Sequence, residues 1–166
     1  RMHIDGEIVA PAQFLPLLEK TPHNRDFDRA ITIGAIRMAA QWQREASTHI
    51  HLHVNASRET LEDPHYAPFL REMLYAHDIA PETFAVEILE TCSVFWENGL
   101  ILNTLRELRA TGIQIAIDDF PTCEEPENLL RWMHTQKVGD FQVLKIDRSL
   151  VQASCQKNEA RAESAI

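Results

Sequence analysis

The chain has 166 residues, 45% of them hydrophobic and 25% charged, with a formal net charge of −9. That length and apolar content suffice for one domain with a buried core. The acidic balance excludes a general binder of nucleic-acid backbone, DNA included, but leaves room for one small anionic ligand held at a local site.

No apolar run approaches the length of a membrane span, and the opening residues show no signal-peptide pattern. Cys92, Cys123 and Cys155 are odd in number and lack metal-motif spacing. They read as reduced thiols of an intracellular domain.

In chain order, the first strongly periodic segment is DFDRAITIGAIRMAAQWQREA, 26–46. Phe27, Ile31, Ala35, Met38 and Trp42 recur there at helical spacing, which predicts a helix packed through that stripe. Next comes HIHLHVN, 49–55, where apolar and polar residues alternate strictly. This predicts a strand with His49, His51, His53 and Asn55 on one face. PHYAPFLREMLYAHD, 64–78, reads as a helix with Phe69, Met73 and Leu74 as core candidates. FAVEILE, 84–90, reads as a second strand. VFWENGLILNTLRELRATG, 94–112, puts Val94, Ile101, Leu105 and Leu108 on one side, and Gly112 suits its C-terminal stop. IQIAIDD, 113–119, is a third strand. EPENLLRWMHTQ, 125–136, has weaker helical character, and FQVLKID, 141–147, is a fourth strand. The tail QKNEARAESAI is polar and helical in composition.

Strands that alternate with helices across long crossovers are parallel. An open doubly wound sheet and a closed (β/α) barrel both fit. The chain has only five glycines and no Gly-rich phosphate loop, which weakens the first. The polar residues favour the second. Asn55, Glu87 with Glu90, Asp118 with Asp119, and Lys145 with Asp147 fall at the C-terminal ends of the strands. Parallel barrels place their active sites at that end. A full eight-unit barrel runs to about 250 residues, so 1–166 reads as a single, partial α/β domain of TIM-barrel type.

Asn55, Glu87, Asp118 and Asp119 offer only oxygen donors, which suit Mg²⁺ or Mn²⁺ better than zinc. Adjacent aspartates at a strand end can serve two ions. Two metals roughly 3.5–4 Å apart can activate a water and stabilise both oxygens of an in-line phosphoryl displacement. Lys145 can hold that water or neutralise phosphate charge. The alternative is that each acid caps a helix or forms a surface pair; acids at successive strand ends argue for a site. Histidines at alternate strand positions can join a zinc site, but these three spread over about 14 Å of strand and such a set rarely reaches one ion. They are expected to fill an inward layer, hydrogen-bonded to neighbours. Trp42, Trp96 and Trp132 read as packing residues, and no cysteine has a base partner in sequence.

The strings VNAS, VEILET, IAIDDF and LKIDRSLV, in this order, resemble the EAL domain, the bacterial cyclic di-GMP phosphodiesterase module. The opening RMHIDGEIVAPAQFLPLLE is similar to the stretch after that family's Glu-Ala-Leu signature. The resemblance implies a modified TIM barrel that uses two Mg²⁺ or Mn²⁺ ions to hydrolyse cyclic di-GMP to linear pGpG. It implies metal ligation by Asn55, Glu87, Asp118 and Asp119, and a catalytic Lys145 near the attacking water. Glu90 matches a second family glutamate that supports the loop after the aspartates. Arg1 matches an arginine that contacts a ligand phosphate. Pro11 and Phe14 match the segment beside a guanine, and Asp147 joins the substrate-binding set. The resemblance further implies a homodimer, an attached sensory or diguanylate cyclase domain, and a cytoplasmic location, including as the cytoplasmic part of a membrane-attached bacterial protein.

The chain departs from the family pattern as well. It begins after the signature and its metal-binding glutamate, and it lacks the late Glu-Gly-Val-Glu strand. The Gly-Thr-Gly-Tyr-Ser-Ser loop is replaced by PTCEEPENLL, with Pro121 for the first glycine. Proline locks φ and removes an amide donor. These departures leave a second expectation beside the enzyme: a degenerate domain that binds cyclic di-GMP without hydrolysis, or an interaction module.

Overall fold

The structure is a computed structural model and describes residues 2–4, 6–18, 21, 23–46, 50–89, 98–120 and 142–152. It opens with a hairpin of β1 (Met2–Ile4) and β2 (Glu7–Val9), paired antiparallel with Ile4 opposite Glu7. Two residues lie between those partners, Asp5 and Gly6, a sequence suited to a two-residue hairpin turn. Gly6 has φ +84°, a conformation that costs glycine little. Helix α1 (Pro11–Leu18) follows, with Pro11 at its first position, where no intrahelical amide donor is needed. Its Phe14 is buried edge-on against Phe27, ring centroids 5.7 Å apart. The pattern reading did not extend to this hairpin and helix.

Then comes α2 (Asn24–Ala46), followed by the strand–helix alternation: β3 (Leu52–Asn55), α3 (Arg58–Leu61), α4 (Tyr66–Ala76), β4 (Phe84–Leu89), α5 (Gly99–Ala110), β5 (Gln114–Phe120) and β6 (Val143–Ile146). A single 3₁₀ turn at Pro81–Thr83 leads into β4. The four later strands form one parallel sheet in the order β3-β4-β5-β6. All four expected strands are present. The first is shorter than the alternation suggested: it starts at Leu52, so His51 precedes it and is exposed.

The sheet has two unlike faces. Val54, Val86, Ile88, Ile115 and Ile117 are buried in one cluster with Leu70 and Leu74 of α4 and Ile101, Leu105 and Leu108 of α5. Each such side chain contributes about 1.5–3 kcal/mol through burial. Phe69 and Met73, expected in the core, pack at its margin. The opposite face carries small or charged residues, among them Ala85, Glu87, Ala116 and Lys145.

Helix α5 ends as expected at Gly112, φ +90°. Ile113 N–H reaches Leu108 O at 3.2 Å and Gly112 N–H reaches Arg109 O at 3.0 Å, a Schellman pair that satisfies two terminal carbonyls. The same arrangement closes α4, with Asp78 at φ 56° in the position usually given to glycine.

The expected stripe on α2 holds only in part: Phe27 packs on Phe14 and Ala35 against the core, but the other three residues turn outward. Ile31, Met38 and Trp42 are 51%, 50% and 47% exposed, whereas Asn24, Thr32, Ile36, Ala39 and Ala40 are buried. The helix is turned by one residue, about 100°. Polar clamps explain the choice. Asp28 accepts hydrogen bonds from Ser57 N–H (2.8 Å) and the Thr60 hydroxyl (2.7 Å). Arg29 donates to the buried Asp63 at 2.8 Å, and the Asn24 amide donates to Glu59 at 3.0 Å. Turning the larger apolar residues inward would strand these buried polar groups, which costs more than exposing three side chains.

Candidate functional site

The register of the sheet builds the site. Asn55 lies opposite Glu87, Glu87 opposite Ala116, and Ala116 opposite Val143. Side chains two apart on a strand share a face, so His53, Asn55, Glu87, Asp118 and Lys145 all project from the side away from the helices. Ala116 matters by its size. It stands between Glu87 and β6, fully buried, and leaves the way across β5 clear.

Lys145 uses that opening. Its ammonium donates to Glu87 Oε2 and lies 2.9 Å from Asp118 Oδ1 as well, also at 2.9 Å from the first. Glu87 is 7% exposed and is the site's buried charge. Burial by itself lowers the Lys145 pKa, but the hydrogen bonds and charges of Asp118 and Glu87 outweigh it and raise the net value above the ordinary lysine range.

Asp118 and Asp119 sit where β5 departs from regular pairing. The β5–β6 register shifts between Ile117 and Phe120, and Asp119 has φ 57°. In an unbroken strand, neighbours point to opposite faces. The irregularity re-aims the chain at the rim, as bulges beside active sites do. Asp119 N–H donates to Asp118 Oδ1 at 3.1 Å. The Asp119 carboxyl is held above its ordinary pKa by desolvation, then by the charges of Asp118 and Asp147, with Lys145 opposing. A cation placed beside Asp119 would favour its charged form.

Asp147 follows β6. Its carboxylate accepts from the Ser149 hydroxyl and from Ser149 N–H, the latter at 2.7 Å, and these bonds hold its pKa below the usual range. Its side chain thus caps the helical turn that begins at 148. Pro11 is exposed at the start of α1. Asn55 is exposed at the end of β3. Arg1, Glu90, Val94, Trp96, Pro121, Trp132, the segment 125–136, the tail and all three cysteines lie outside the described residues.

One residue of the site escaped the sequence reading. His53 Nδ1 lies 2.8 Å from Glu87 Oε1. The histidines were expected to fill the strand. His53 does bond to a neighbour, but that neighbour is a site carboxylate. Its position two residues before Asn55 was the available signal.

A hard divalent cation suits this donor set, since Asn55, Glu87, Asp118 and Asp119 supply only oxygens. Among the described residues, no three His, Cys, Asp or Glu side chains are gathered in ligating geometry. Lys145 instead places its positive charge between Glu87 and Asp118. Among the described residues no helix is long and apolar enough to cross a membrane.

Comparison with known proteins bears on the family and the fold. The chain is 25% identical over 154 residues to a probable cyclic di-GMP phosphodiesterase, PdeB, of Escherichia coli, covering 93% of this chain and 28% of that protein. The FimX EAL domain of Pseudomonas aeruginosa, solved bound to c-di-GMP, superposes with a TM-score of 0.73 at 25% identity, covering 96% of this chain and 61% of that one. The PaMucR phosphodiesterase, in a c-di-GMP complex, superposes with a TM-score of 0.68 at 27% identity, covering 85% and 58%. The chain spans between 17% and 28% of the length of the first three curated relatives. The fold they share is TIM-barrel-like, as the strand-end rule implied. With the family model for the EAL domain matching residues 1–166, the chain belongs to the EAL domain family.

Proposed function

We propose that this domain, in a protein that also supplies the signature glutamate and the late-strand glutamate, hydrolyses cyclic di-GMP to linear pGpG. The observation that carries the reading is the set of charges on one sheet face: buried Glu87, Asp118 beside it, and Lys145 bonded to both. Relatives named as cyclic di-GMP phosphodiesterases, and neighbours solved with that ligand, support the substrate.

Two divalent ions, Mg²⁺ or Mn²⁺, held by Asn55, Glu87, Asp118 and Asp119, would supply Lewis acidity and a nucleophilic water. The chain's own residues do the rest. Glu87 is fixed in place by burial and by partners on both oxygens. A cation held beside Asp119 would offset the desolvation and the neighbouring charges that raise its pKa. Lys145 stays cationic at neutral pH and neutralises charge that develops on the phosphoryl oxygens. Arg1, Pro11 and Asp147 are assigned to the nucleotide and Glu90 to the loop after the aspartates. Cyclic di-GMP, a homodimer, attached sensory or cyclase domains and a cytoplasmic setting belong to the same reading.

Pro121 in place of a loop glycine favours a second reading, a receptor that binds cyclic di-GMP without turnover. One experiment separates them. Product formation by the full-length protein carrying both glutamates is followed by chromatography beside a binding titration, with Mg²⁺ or Mn²⁺ present. The enzyme reading expects pGpG, and expects Lys145→Ala to reduce kcat by about 10²–10³ with little effect on binding. Tight binding without product at any concentration of either metal rejects it for the receptor.

A further inference from the structure

His53 stands on the site face with no part in the proposed reaction. Its ring nitrogen and Lys145 divide Glu87 between them. His53 Nδ1 is 2.8 Å from Oε1, and Lys145 Nζ is 2.9 Å from Oε2. A carboxylate can only accept, so the nitrogen that faces it carries the proton. That nitrogen is then closed to metal ligation. Glu87 is 7% exposed, so little water competes for either oxygen.

A glutamate side chain released from such a contact regains rotamer freedom, and its two oxygens become interchangeable. A donor on one oxygen removes that ambiguity. We propose that His53 is a positioning residue: its Nδ1–H pins Glu87 Oε1 and so presents Oε2 to whatever cation occupies the site face. In this structure that cation is the Lys145 ammonium. On the phosphodiesterase reading, on which the metal part of this inference rests, it is also a divalent ion. The placement follows from the fold. His53 is paired in register with Ala85, whose small, buried side chain leaves the imidazole free to lean toward Glu87 two residues on.

The test uses Mn²⁺ and two variants. Calorimetry should find Mn²⁺ affinity about 10–100-fold weaker in His53→Ala, the usual loss when a ligand's hydrogen-bond partner is removed. His53→Asn can donate from nearly the place of Nδ1 and should recover most of that loss. A merely structural role would give no such rescue. Equal affinity in His53→Ala and the parent overturns the proposal, as does an Asn variant no better than Ala. A metal-free arm reads the bond directly. Nitrogen–proton spectra of the metal-free protein should show the proton on Nδ1 of His53. A proton on Nε2 alone overturns the proposal. If the parent shows the proton on Nδ1 and takes up no Mn²⁺, the pin is supported with Lys145 as the cation it serves, and the two-metal reading fails by itself.

Discussion

Strands β4 and β6 supply the two opposite charges of the site, and they are built differently. On β4, Phe84 to Ile88 are all buried, so Glu87 is carried by the best-packed strand of the sheet. On β6, Leu144 is 42% and Ile146 58% exposed, so Lys145 is carried by a strand with little packing of its own. Among the described residues β6 also forms one edge of the sheet. The difference teaches where the cost of the buried carboxylate is met. Glu87 is held by the core beneath it, and Lys145 is held largely by Glu87 and Asp118.

The comparison breaks most visibly at the isoleucines. Ile88→Ala leaves a cavity in the core and should cost about 2–5 kcal/mol in denaturant unfolding of the 166-residue chain. Ile146→Ala should cost less than about 1 kcal/mol, as substitutions at exposed positions usually do. Similar losses at both positions would mean that β6 is packed as firmly as β4.

A smaller effect is expected at the residue between the strands. Ala116→Leu puts a branched side chain in the path of Lys145 and should cost about 1–3 kcal/mol from overpacking. It should also cancel the coupling between Lys145 and Glu87 in a double-mutant cycle. Coupling that survives in the Leu background would show that the lysine reaches Glu87 by another route.

The smallest effect is that of pH on the lysine. Its folded pKa is raised, so its contribution to stability is complete below the unfolded value, about 10.4, and is lost as pH rises through the folded value. The stability difference between the parent and Lys145→Met should therefore stay constant from neutral pH to about 10 and shrink above that. A difference that disappears below pH ~9 would mean that the ammonium is not held by Glu87 and Asp118.

Much of this was legible because it is local. Alternation of apolar residues marked β4, β5 and β6 nearly to their ends, and Gly112 marked the stop of α5. Both signals depend on a residue and its near neighbours along the chain. The opening hairpin and α1 went unread, although Asp5-Gly6 and Pro11 are local signals of the same kind. The acids at the strand ends were legible for a further reason: a parallel sheet sends every C-terminal strand end to the same rim.

Other features depended on partners far off in sequence. The buried side of α2 was decided by Asp28, Arg29 and Asn24 meeting residues of the 57–63 segment, so the stripe of Ile31, Met38 and Trp42 faces outward against its periodicity. The irregular end of β5 arises from its register with β6, which no property of Asp118 and Asp119 announces. His53 became a partner of Glu87 because β3 and β4 pair with Asn55 opposite Glu87. By itself the sequence determined the four strands of the sheet, the longer helices between them and which charges gather at one rim, since these follow from short-range periodicity. Only the tertiary structure decided which helix face is buried and which oxygen of Glu87 meets which cation, since hydrogen bonds between distant segments settle both.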